Sequence, residues 1–243
     1  MPDAHDGRRR IDLPGFSYLP QFISKDEGQE LIDAFAAYRP IWERRYAPGD
    51  QNRGDGGGRR LSRPVYWLGA WQFASLGYYA EPDHRHDRCV HGEPFPAVMA
   101  RVLDRIRPLL AADHADADVP ADVPNTCLIN YYGREVGDGV PVDRARLKMH
   151  RDGEPGPVVM FSIGQPGRLE FLDPARSDEP ELSVWTRHRS VTILSGPDFK
   201  DRLYHRIVRV RTGQDPVLRS PIDDFELRRV SVSFRHVPQE LIQ

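Results

Sequence analysis

The chain has 243 residues, 39% hydrophobic and 29% charged, with a formal net charge of −2. This is the composition of a globular protein with a sizeable core, and it excludes a histone-like binder that works by bulk positive potential. Cys89 and Cys127 are the only cysteines and sit in no CxxC spacing, so no disulfide framework is available and a reducing, cytoplasmic setting is expected. No stretch approaches the roughly 18 consecutive apolar residues of a membrane helix, and MPDAHDGRRR lacks the apolar stretch of a secretory signal.

Residues 1–15 read as a loose arm and Phe16 to Phe22 as a short strand. Ser24 followed by Glu27 forms a capping-box pattern, and Leu31, Ile32 and Phe35 recur at helical spacing until Pro40. Residues 47–60 are rich in Gly and charge and predict a loop; an aromatic segment runs from Val65 to Tyr79. A second helix is predicted from about Pro96, with Val98, Val102 and Ile106 on one face, before the acidic Ala/Pro linker ADHADADVPADVP. From Asn125 onward CLINYY, GPVVMFSIG, GRLEFL, ELSVWT, SVTIL, YHRIVRV and LRRVSVSFRHV follow one another, punctuated by Gly, Pro and Asp. Such a run with no intervening helix predicts a β-sandwich or jelly roll.

Three residues in this β region have the chemistry of a metal site: His150 and Asp152 in MHRDGE, and His205 in LYHRIV. Two imidazoles and one carboxylate on one face of Fe(II) leave the opposite positions open for a 2-oxo acid and O₂. On an extended segment His150 and Asp152 point to the same side. An HxD pair alone carries little information, because aspartate is common in this chain. The competing histidines are less well placed. His84, His86 and His91 fall in a charged, Pro-containing loop, His188 lies between two arginines, and His5, His114 and His236 have no partner at ligand spacing.

Arg229 and Arg235 in RVSVSFR are an even number apart, so a strand turns both to one side. An arginine aimed into a β core needs an anion, and a dicarboxylate suits its fork. The alternative is an edge strand with these arginines in solvent. Further basic pieces, Arg8-Arg9-Arg10, Arg44-Arg45, Arg59-Arg60 and the stretch Arg202 to Arg211, are either phosphate contacts or solvated faces balanced by neighbouring acids.

In order, NTCLINYYG, HRDGE, RLYHRI and RRVSVSFR resemble the AlkB dioxygenases, over about residues 61–236. The resemblance implies an α+β protein: a double-stranded β-helix, or jelly-roll, core with N-terminal helices and an aromatic substrate lid. Residues 1–124 would form the helical extension and lid, and 125–243 the catalytic core. It implies Fe(II) on His150, Asp152 and His205, with 2-oxoglutarate and O₂ as co-substrates. Asn130, Tyr132, Arg229 and Arg235 would hold 2-oxoglutarate, with Ser231 standing where the family usually has Asn. Trp71 and Tyr78 would meet the base and backbone, Glu154 the base edge, and Arg176 the substrate. The implied reaction is oxidative dealkylation of nucleobases in DNA or RNA. With no extended apolar heptad, no long exposed edge and no long apolar run, a monomer that does not enter a membrane is expected. The connection over residues 133–148 is longer than the family pattern and is expected to border the mouth of the site.

Three other readings remain open on the sequence. One keeps the iron chemistry on a small molecule or protein side chain, one is a non-catalytic β-sandwich module, and one is a cupin-like enzyme that has no use for the paired arginines.

Overall fold

The computed structural model describes residues 4–45, 59–70, 93–113, 124–137, 139–154, 156–213 and 218–237. Helix α1 (Lys25–Ala37) starts where the sequence places it. The Ser24 side chain accepts from the Glu27 amide, and the Glu27 carboxylate accepts from the Ser24 amide, satisfying two of the unpaired donors at the helix start. Helix α2 (Ala97–Asp113) likewise begins just after Pro96.

Seven of the strands predicted after Asn125 are present. They are β6 (Thr126–Glu135), β9 (Val158–Gly164), β10 (Gly167–Leu172), β11 (Leu182–Thr186), β12 (Ser190–Leu194), β13 (Tyr204–Val210) and β14 (Phe225–Arg235). The helix-free expectation needs one correction: a π-helical turn, Pro197–Arg202, stands between β12 and β13. Short strands escaped prediction, among them β1 (Ile11–Leu13), β7 (Val142–Asp143) and β8 (Leu147–His150), as did the pair β3 (Arg44–Arg45) and β4 (Arg59–Arg60). The N-terminal arm is not loose. β1 folds back on β2 (Phe16–Leu19) through Gly15, whose φ of 78° suits glycine, and β2 pairs with β12. His5 forms a parallel bridge to Val184.

Two sheets result. The larger runs β1-β2-β12-β9-β14-β6-β5, where β5 is Val65–Gly69, with β7 beside β6. The smaller runs β11-β10-β13-β8. Strands from before residue 124 therefore complete the same large sheet as those after it.

The period-2 alternation of the strands divides the interior in two. On β14, Val230, Val232 and Phe234 join Leu31, Phe35, Val102 and Ile106 in the core between the large sheet and the helices. Between the sheets lie Phe16, Tyr132, Leu169, Phe171, Val184 and Ile207. The alternate residues of β14, Arg229, Ser231, Ser233 and Arg235, face this second space and are all buried. Ser231 pairs with Asn130 on one side and Ser162 on the other. The interior between the sheets is thus apolar over most of its lining and polar along the β14 side.

Candidate metal and cofactor site

β8 and β13 are neighbours, and His150 and His205 are cross-strand partners in that pairing. Their ring centroids lie 4.3 Å apart. The register slips between this pair and the next, Ile207 with Leu147, so a β-bulge on β8 re-aims the chain just before His150. Asp152 follows the strand end, and its Oδ2 is 3.4 Å from His205 Nε2. One ligand atom from each of the three residues lies within 4.8 Å of the other two. Among the described residues no other cluster of His, Cys, Asp or Glu has this form.

The protonation states suit a divalent ion. Burial pushes the His205 imidazole down to about 3, and burial also lowers His150. Both are neutral at pH 7, with lone pairs free for a metal. Burial alone would raise the Asp152 carboxyl, but Arg235, the two histidines and Lys200 outweigh it and hold it below the ordinary carboxylate range. The site therefore offers two imidazoles and one carboxylate anion, the donor set Fe(II) takes.

Arg235 serves the ligands. Its Nη2 donates to Asp152 Oδ1 at 2.6 Å, and its Nε lies 3.5 Å from Glu154 Oε1. Lys200, from the π-helical turn, donates to the carbonyl oxygens of Glu154 at 3.0 Å and Asp152 at 3.4 Å. The HRDGE turn is thereby gripped through both side chain and backbone.

Arg229 is placed differently. It is 1% exposed, and its guanidinium donates to Gln165 O, Thr186 O, Ser162 Oγ and Thr186 Oγ1 at 2.7–3.1 Å. All four acceptors are neutral. Its Nε has no hydrogen-bond partner, and no carboxylate among the described residues pairs with it. Burial lowers it to about 10, still protonated at neutral pH. A buried cation without an anion is costly, and an incoming carboxylate would relieve that cost. Gly167 makes the space: a Cβ there would sit 2.9 Å from Arg229 Nε. Thr192 Oγ1, also fully buried and on the same interior face, lacks a partner as well. These residues fit the far carboxylate of 2-oxoglutarate.

Both arginines were expected to hold 2-oxoglutarate; in the structure Arg235 meets the carboxylates of Asp152 and Glu154, while Arg229 meets none among the described residues. Asn130 is 2% exposed, and its Oδ1 accepts from Arg63 Nε at 2.8 Å; the Arg63 guanidinium also lies 5.5 Å from the Tyr132 ring centroid. Ser231 sits between Asn130 and Ser162. Arg63, Lys200, Ser162 and Thr186 were not singled out from the sequence. Ser162 had a signal, a hydroxyl interrupting the apolar run VVMFSIG. Lys200 in PDFKDR and Arg63 in LSRPV read as surface charges.

Glu154 is buried beside Arg235. Arg176 is exposed in the turn after β10, where it pairs with Asp173, and no described contact joins it to the triad. Trp71 and Tyr78, and the competing His84, His86 and His91, lie outside the described residues. His188 accepts from the Gly164 amide and is lowered to about 4 by burial and then Arg189. The connection over 133–148 leaves β6 three residues beyond Tyr132 and returns through β8 to His150. β6 runs from Thr126, paired with Arg235, to Glu135, paired with Phe225, so the β6–β7 hairpin lies about 30 Å along the strand from the Arg235 end. Only its return to His150 approaches the site. The opening itself is a cleft of about 860 Å³ lined by Arg151, Asp152, Glu154, Lys200 and Tyr204, among others.

No helix among the described residues is long and apolar enough to cross a membrane. The profile of the 2OG-Fe(II) oxygenase superfamily matches residues 15–235. The chain is 24% identical over 148 residues to nucleic acid dioxygenase ALKBH1 of Mus musculus, an overlap of 61% of this chain and 34% of that protein. It thus spans about a third of the length of that curated relative. The solved structure of OsALKBH1 shares the fold, with a TM-score of 0.57 at 21% identity, over 93% of this chain and all of the other. The chain belongs to the 2OG-Fe(II) oxygenase superfamily, a family that uses Fe(II), 2-oxoglutarate and O₂, and its His-Asp-His triad fits that iron.

Proposed function

We propose that the chain removes N-alkyl groups from nucleobases in DNA or RNA by oxidative dealkylation, releasing formaldehyde, with succinate and CO₂ as co-products. The observation that carries the reading is the pairing of one charged and two neutral ligands with a buried, anion-free arginine behind them. Nucleic acid enters through the relative's name, nucleic acid dioxygenase, and through the order of the four sequence motifs.

His150, Asp152 and His205 would hold the iron, while Arg229, Asn130, Tyr132 and Ser231 would hold 2-oxoglutarate, helped by the hydroxyls of Ser162 and Thr186. Iron held there would supply, with 2-oxoglutarate and O₂, the oxidising chemistry that N-dealkylation needs. Arg235 keeps Asp152 ionised and leaves its second oxygen turned toward His205. Arg63, by donating to Asn130 Oδ1, turns the amide nitrogen of Asn130 outward as a donor. Lys200 fixes the backbone of residues 152–154, so that the Glu154 carboxylate is held where a base edge can donate to it. Trp71 and Tyr78 would take the extruded base and its backbone, and Arg176 a more distant part of the strand. Residues 1–124 then carry the lid and three strands of the large sheet, and 125–243 the rest of the catalytic core, in one structural domain.

The test is coupled turnover. Short methylated DNA and RNA strands should each be compared with free methylated nucleosides for 2-oxoglutarate consumption matched by formaldehyde release. Consumption that no nucleic acid stimulates, but a small molecule or peptide does, would move the iron chemistry to another substrate.

A further inference from the structure

We propose that the outer face of the four-stranded sheet is a phosphate track for the strand flanking the base in the metal site; this rests on the nucleic-acid reading above. The strands β8, β10, β11 and β13 contain one carboxylate, Glu170, against Lys148, Arg168, Arg206 and Arg209. Glu170 is consumed internally, pairing with Arg168 and Arg206 at 2.8 Å each.

A β-bulge builds the track. Ile207 pairs with Leu169 and Arg209 with Arg168, leaving Val208 unmatched. Strict alternation would turn Arg206 and Arg209 to opposite faces; the extra residue sends both outward, with Arg211 following. Arg168 and Arg209 become direct cross-strand neighbours, like charges of which, among the described residues, only Arg168 has a carboxylate beside it. Arg209 and Arg211 have no carboxylate partner among the described residues, and both are exposed.

Trp185 orders these side chains. The guanidinium of Arg211 lies 4.1 Å and that of Arg209 5.1 Å from its ring centroid, and the ring is only 5% exposed beneath them. Guanidiniums held on an aromatic face lose less freedom when they bind phosphate. The track also reaches the site. Tyr204, at the other end of β13, lines the cleft beside Asp152 and carries Arg151 at 4.6 Å from its ring. From Tyr204 to Val210 the strand spans about 20 Å, the reach of a few nucleotides. Cations spaced along an exposed sheet face suit a single strand held by its backbone.

The experiment compares wild type with R209S/R211S, using fluorescence anisotropy on an unmodified single-stranded oligonucleotide of about 15 nucleotides across a salt series. The variant should bind about tenfold more weakly at low salt, and its log–log salt slope should flatten by about 1.4, two phosphates' worth. R209K/R211K, which keeps both charges, should retain the slope, and binding of an oligonucleotide of about three nucleotides should be unchanged in both variants. Titration with 2-oxoglutarate verifies that each variant is folded. If wild type binds the long oligonucleotide and R209S/R211S matches it in affinity and slope, the track is overturned while the nucleic-acid reading stands. An equal loss on the short oligonucleotide also overturns it, because the defect then lies at the site. If wild type binds no oligonucleotide while still binding 2-oxoglutarate, both readings fall.

Discussion

Arg235 Nη2 lies 2.6 Å from Asp152 Oδ1, while Asp152 Oδ2 lies 3.4 Å from His205 Nε2. One carboxylate therefore has its first oxygen tied to a buried cation and its second presented to the imidazole pair. The guanidinium does two things at once: it keeps the acid ionised in a buried setting and sets its orientation.

Replacing Arg235 by Met should therefore weaken Fe(II) binding about 10- to 100-fold, the usual cost of losing a group that orients a metal ligand, without altering the ligands. Anaerobic Fe(II) titration reads this directly. An unchanged iron affinity would mean that Asp152 is oriented by something else.

Much of this geometry was legible in the sequence. The Ser24–Glu27 cap is local, and so were β10, β12 and β13, whose apolar and β-branched runs are bounded by Gly, Pro or Asp. The triad followed from motif order. What could not be read depends on partners far away in the chain. Arg229 and Arg235 share a side of β14, as their spacing predicts, but what each meets is set by residues distant in the chain: neutral oxygens of Ser162, Gln165 and Thr186 for Arg229, the carboxylates of Asp152 and Glu154 for Arg235. LKMH of β8 is too short and polar to announce a strand; it is one because β13 lies beside it. Gly15 looked like part of an arm until β12 supplied an edge for its hairpin.

Arg229→Gln should raise the 2-oxoglutarate Kd by about 30-fold or more, the cost of truncating one partner of a buried charge pair, and leave Fe(II) binding nearly intact. Calorimetry on both variants separates the two arginines: R229Q should lose the co-substrate, R235M the metal. Gly167→Ala should act in the same direction as R229Q, since its methyl would press on Arg229 Nε.

Lys200 donates to two carbonyl oxygens, of Asp152 and Glu154, and to no metal-ligand side chain. Lys200→Met should loosen the 152–154 turn, so turnover should fall about tenfold or more while 2-oxoglutarate affinity stays within a factor of about two. Steady-state kinetics with 2-oxoglutarate varied would show the split, and a matching loss of co-substrate affinity would contradict it.

Glu27 reports on the helix layer. Its hydrogen bond to Arg105 and those to Ser24 outweigh burial and lower it from 4.5 to about 2. A carboxyl depressed in the folded state adds stability above the unfolded value and loses it as pH falls from about 4.5 toward 2. Glu27→Gln should flatten the acid limb of the unfolding curve across that window. Ser24→Ala should cost about 1 kcal/mol at neutral pH, measurable by urea unfolding.

The most direct measurement is an anaerobic titration of the wild-type chain with Fe(II) in the presence of 2-oxoglutarate, followed by its visible metal-to-co-substrate charge-transfer absorption. One equivalent of iron should develop the band, and His205→Ala should lose it. No band in the wild type, or an undiminished band in His205→Ala, would contradict a metal centre built across β8 and β13.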